Sequence, residues 1–73
     1  MKTYVVKYWD EKRAEEEAQE EWDCSFLVEA KRLAIRLAKE KDTTMLVDEY
    51  DADGVCLGIR YWLAYPNGIW KEV

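Results

Sequence analysis

The 73-residue chain contains no histidine and a single serine, Ser25. That removes the Ser-His-Asp and Cys-His arrangements together with the commonest metal ligand. Cys24 and Cys56 stand far apart and outside any Cys-x-x-Cys spacing. They read as two small apolar residues rather than as a redox or zinc pair. The three glycines, Gly54, Gly58 and Gly68, form no phosphate-cradling loop. No stretch approaches the roughly 20 apolar residues that span a bilayer, and Met1 to Val6 runs into Lys7 without the apolar core of a signal peptide. A cytoplasmic location is therefore expected, with no catalytic activity, cofactor, metal or membrane contact.

What is present is aromatic and acidic. Four Trp and five Tyr lie in a chain that is 49% hydrophobic, far from the composition of disordered proteins. Dense aromatic packing is what one short domain spanning residues 1–73 needs, because so small a core otherwise supplies only about 3–5 kcal/mol. The net charge of −5 argues against direct nucleic-acid binding, which rests on Lys and Arg neutralising phosphates. The charge is also segregated. Glu15, Glu16, Glu17, Glu20, Glu21 and Asp23 form an acidic block, whereas Lys31, Arg32, Arg36, Lys39 and Lys41 crowd a later segment.

Periodicity supplies the elements. Lys2 to Trp9 alternates as a strand, with Tyr4, Val6 and Tyr8 on the core face and Thr3, Val5, Lys7 and Trp9 on the other. Asp10 offers an N-cap to strong helix formers from Glu11 to Glu21, in which Ala14, Ala18 and Trp22 recur every four residues. A short amphipathic helix is expected there. Carboxylates repel at the i,i+4 pairs Glu16–Glu20 and Glu17–Glu21, so an acidic hairpin arm with Ala18, Glu20, Trp22 and Cys24 alternating against Gln19, Glu21 and Asp23 is the alternative.

Ser25 reads as the N-cap of a longer helix, Phe26 to Lys41, whose stripe is Phe26, Leu27, Ala30, Leu33, Ala34, Leu37 and Ala38. After Thr44 the period becomes two. Asp53-Gly54 and Pro66-Asn67-Gly68 signal tight turns between strands near 44–50, 55–65 and 69–73. In the middle strand Val55, Leu57, Ile59, Tyr61 and Leu63 are expected to face the helix. The segment Glu49 to Gly54 opens like a calcium-binding loop, but the place that demands a bidentate Glu holds Arg60, so a hairpin is the better reading. The expected fold is α+β. A four-stranded, mainly antiparallel sheet carries the long helix on one face, with the first strand at an edge beside the last strand or the second.

Two surfaces are candidates for binding. The acidic block, Glu15, Glu16, Glu17, Glu20, Glu21 and Asp23, suits a protein partner with a basic surface, its carboxylates standing in for nucleic-acid phosphates. On the sheet, Trp9, Arg60, Trp62 and Tyr65 are the kinds of residue enriched at interface hot spots. In a homodimer they would wall a pocket for a small or nucleotide-derived ligand, unless the acidic segment folds over them with Trp22 reaching Trp62. A short, acidic, cysteine-poor domain without catalytic residues is similar in profile to many phage-encoded inhibitors of bacterial defence, anti-CRISPR proteins among them. That similarity implies an accessory or inhibitory protein-binding role.

Overall fold

A computed structural model describes residues 2–73, with Ile59 described by its backbone alone. Seven elements follow one another: β1 (Thr3–Tyr8), α1 (Glu11–Glu16), β2 (Glu21–Cys24), α2 (Leu27–Lys41), β3 (Met45–Tyr50), β4 (Cys56–Ala64) and β5 (Trp70–Glu72). The strands form one five-stranded antiparallel sheet in the order β2-β1-β3-β4-β5. The α+β class and the antiparallel sheet agree with expectation, and the strand count does not. The extra strand comes from the acidic segment, so β1 is an interior strand between β2 and β3 rather than an edge.

The acidic segment combines both sequence readings. Asp10 caps α1, its Oδ1 accepting from the Lys12 amide at 3.0 Å. The helix stops at Glu16, before the like-charge pairs Glu16–Glu20 and Glu17–Glu21 would stack on successive turns. None of its residues is fully buried and Ala14 packs only partly against the core, so little tertiary contact supports a longer helix here. Pairing with β1 wins instead, in the register Val6 to Trp22 and Val5 to Asp23. The reversal between helix and strand is tight. Ala18 and Gln19 both have φ of 58°, and the Gln19 amide donates to the Ala14 carbonyl at 2.7 Å.

Helix α2 lies on the face carrying Val6, Tyr8, Met45 and Val47, and its Ala30, Ala34, Leu37 and Ala38 enter the same apolar cluster. The face assigned to Tyr4, Val6 and Tyr8 is thus correct, although Val5 on the opposite face is buried as well. At the start of α2, Phe26 occupies the cap position with no side-chain cap bond. Ser25 therefore does not cap the helix, and Phe26 is exposed rather than part of the stripe. Asp42 in the left-handed region closes the other end, with its amide donating to Ala38 O.

The face expected for β4 is inverted. Trp62 and Ala64 pack under α2, while Tyr61 and Leu63 belong to the opposite face; the side chain of Ile59 lies outside the described residues. Two features cause this. The register breaks between Asp48, which faces Tyr61, and Tyr50, which faces Cys56, and Gly58 adopts a φ of 65° there. Such an irregularity separates the two ends of β4, so simple alternation from Val55 fails across it. The alanines of α2 also leave depth for a large ring, and Trp62 fills it at 3% exposure. Both predicted turns form. Asp51 Oδ1 accepts the amides of Asp53 and Val55 at 2.9 Å each, and Gly68 donates to Tyr65 O at 2.9 Å.

Candidate partner-binding site

The acidic residues are assembled by two neighbouring pieces of backbone. Helix α1 carries Glu11, Glu15 and Glu16, and β2 carries Glu21 and Asp23 along the margin of the sheet, with Glu20 between them. Glu15, Glu16, Glu20, Glu21 and Asp23 are all exposed. Glu17 is different: it accepts from Arg13 Nε at 3.1 Å and lies 4.0 Å from Lys41 Nζ, so it is engaged within the chain. Among the described residues β2 pairs with β1 alone, which leaves its outer backbone groups free and its flanking side chains acidic.

Trp22, set within this acidic strand, turns its ring inward against Tyr8, edge to face at 5.9 Å between centroids. It does not reach Trp62. Beneath α1 a cavity of about 310 Å3 is lined by Tyr8, Glu11, Ala14, Glu15 and Gln19. Tyr8 is 5% exposed, and its hydroxyl is shut off from solvent with no hydrogen-bond partner of acceptable geometry. Lys41 hangs over the same ring, 6.0 Å from its centroid. The ammonium is held above the ordinary lysine value, chiefly by the Tyr8 phenol oxygen beside it; partial burial works the other way, and Glu17 and Glu20 add to the rise. Tyr8, Glu17 and Glu20 thus favour the charged form of Lys41.

The second candidate set is not brought together. Trp9 lies on the face away from α2 and stacks on Tyr61 at 6.1 Å. Trp62 is under the helix, between Tyr4 and Trp70 at centroid distances of 6.1 and 6.3 Å. Arg60 does accompany Trp62, its guanidinium carbon 5.3 Å from the ring centroid, and also pairs with Glu72 at 3.3 Å. Tyr65 is half-buried at the β4–β5 turn. Trp9 and the Arg60–Trp62 pair therefore occupy opposite faces, and the four residues wall no common pocket within one chain.

Sequence reasoning missed two polar groupings. Lys7 Nζ donates to Tyr50 Oη at 3.0 Å and pairs with Asp48 Oδ2 at 2.9 Å on the open face of the sheet. Burial opposes its charge most, but Tyr50 and Asp48 together outweigh that and hold Lys7 above the lysine range. Glu49 is buried under the other face, with Lys2 Nζ at 3.5 Å and Arg60 at 4.0 Å from its Oε2. The alternation Met45, Val47, Glu49 could have located the second, since it places Glu49 on the core side; the first depends on cross-strand register. Neither thiol is bonded, and burial, then Glu29 and Asp23, push Cys24 above the usual cysteine value. A raised value leaves less thiolate, the reactive form.

Among the described residues no helix is long and apolar enough to cross a membrane. Compared with known proteins, the chain matches no family model, no curated protein and no solved structure.

Proposed function

We propose that this protein is a non-enzymatic binding module that docks a basic protein partner on the acidic margin formed by α1 and β2. The observation that carries the reading is the exposure of Glu15, Glu16, Glu20, Glu21 and Asp23 along one margin, which Lys41 at the end of α2 meets at Glu17. Exposed carboxylates of one sign attract a complementary surface and speed its encounter more than they add raw affinity. A groove that ordinarily holds nucleic-acid phosphates has the matching charge, which gives the module the character of an inhibitor or accessory protein of a nucleic-acid-handling or defence complex. The placement of Trp9 and Trp62 on opposite faces of the sheet gives the alternative ligand-binding reading no support.

The test compares the wild-type chain with a variant carrying Glu15, Glu16, Glu20 and Glu21 as Gln. Both serve as bait in a host lysate, and the affinity of the purified captured protein is then measured for each at two salt concentrations. The expected result is unchanged circular dichroism, at least tenfold weaker binding by the variant, and wild-type affinity that falls with salt, because exposed charges are screened over about 8–10 Å at moderate ionic strength. Equal affinities without salt dependence would overturn the reading.

A further inference from the structure

The sheet has two edges, and they are finished differently. At one, β5 is three residues long and carries Lys71 beside Glu72, which is paired with Arg60 at 3.3 Å. At the other, β2 presents Glu21 and Asp23, and among the described residues neither carboxylate has an ion-pair partner. Lys7, the cross-strand neighbour of Glu21, is committed to Asp48 and Tyr50. Alternate residues of a paired strand turn their amide and carbonyl away from the partner. Among the described residues, those of β2 that turn away from β1 bond to no other segment. They form an open row of donors and acceptors, the template to which a further strand adds.

The two flanks of that row differ in chemistry. Asp23 pairs with Val5 and Glu21 with Lys7, which places both carboxylates on the open face of the sheet. Trp22 and Cys24 pair with Val6 and Tyr4 on the helix side and remain half-buried there. Phe26, just past the strand, is 64% exposed. A strand laid along β2 therefore meets negative charge on one face and apolar surface on the other. A second copy of β2 is a poor occupant, because it would set Glu21 and Asp23 against their own counterparts, and directly opposed like charges destabilise a strand pair. From these features we propose that the β2 edge takes an extended segment of the docked partner, alternately basic and apolar, as an added strand of the sheet. Its Lys or Arg side chains lie opposite Glu21 and Asp23, and its apolar side chains lie beside Trp22 and Cys24. This deepens the docking function proposed above and rests on it: backbone bonds supply the alignment, and the carboxylates select the sign of the incoming strand.

The test titrates a terminally blocked peptide of alternating Lys and Val into the isotope-labelled protein, alongside two forms N-methylated at every Lys or at every Val amide. Successive amides of an extended chain point to opposite sides, so each methylated form has one hydrogen-bonding edge blocked and the other intact. The unmodified peptide is expected to bind and to protect alternate amides within residues 21–24 from hydrogen exchange. One methylated form should bind at least tenfold more weakly than the other. Glu21→Gln and Asp23→Asn should each weaken the unmodified peptide about two- to fivefold, the range for one cross-strand charge pair. Both side chains are exposed, so neither variant should lower the melting temperature, which separates lost binding from lost fold.

Equal binding by the two methylated forms overturns the added strand. If the charge variants still bind more weakly in that case, the docking surface stands and the partner lies on it without joining the sheet. Unchanged binding by both charge variants overturns the choice of a basic occupant. Failure of the unmodified peptide to bind also overturns the added strand, while the docking surface is judged separately by the affinity of the captured protein for the Gln variant.

Discussion

The two faces of the sheet are held by different forces. On the helix-covered face, Val6, Met45, Val47, Trp62 and Ala64 meet the alanines of α2, and the contact is apolar packing at near-complete burial. On the open face, Val5 and Leu63 are also buried, yet among the described residues no second layer of helix or sheet lies over them. Their cover comes from the sheet's own long side chains. Lys7 reaches along β1 to Asp48 and Tyr50, whose strand partners are Val5 and Thr3, and Trp9 stacks on Tyr61. One face thus relies on shape filling by a separate element, the other on snorkelling and stacking within the strands. A sheet whose long helix covers one face can in this way protect the other without a third layer.

The contrast is broken most severely at the two tryptophans. Trp62→Ala removes a buried ring from beneath α2 and should cost about 3–5 kcal/mol, close to the whole stability of so small a domain. Trp9→Ala, at 49% exposure, should cost only about 1 kcal/mol, mainly the stacked pair. Urea titration of both variants measures the difference, and equal losses would mean that the faces are not distinct in kind.

A smaller effect tests the acidic turn that joins helix to strand. Ala18 has a φ of 58° with an exposed side chain, so Ala18→Gly should relieve left-handed strain. Glycine's greater freedom in the unfolded chain offsets part of that gain, leaving a net stabilisation of about 1 kcal/mol or less. A fall in the denaturant midpoint would show that the turn is not under such strain.

The smallest effect concerns the open face. The pKa of Lys7 is raised in the folded protein, so its contribution is fully present below the ordinary lysine value of 10.5 and is lost as pH rises through the elevated folded value. Lys7→Met should therefore narrow the stability difference from wild type only at strongly alkaline pH, and leave it constant between neutral pH and about 9. Denaturation midpoints at pH 7, 9 and 11 give the slope. A difference that already changes between pH 7 and 9 would assign the titration to another group.

Much of this fold is legible in the pattern of residues. The period-four stripe from Leu27 to Ala38 and the alternation of Tyr4, Val6 and Tyr8 locate α2 and β1 with their buried faces. Asp53-Gly54 and Pro66-Asn67-Gly68 locate the hairpins because left-handed backbone requires glycine there. The acidic candidate site was legible as a composition, but its division was not. Glu17 is taken by Arg13 and Lys41, and the Tyr8 recess appears only when α1 closes over β1.

Local chemistry by itself determined the α+β class, the long helix, the turns and the segregation of charge, since each depends on neighbours within a few positions of the chain. Tertiary structure alone decided that the acidic segment splits into helix and edge strand, that the irregularity near Gly58 separates the two ends of β4, and that Trp62 rather than Trp9 enters the core. Those outcomes turn on competition between distant partners. Glu21 to Cys24 gain more from backbone pairing with β1 than from a helix crowded with like charges, and the alanine face of α2 selects the largest ring that the sheet can present to it.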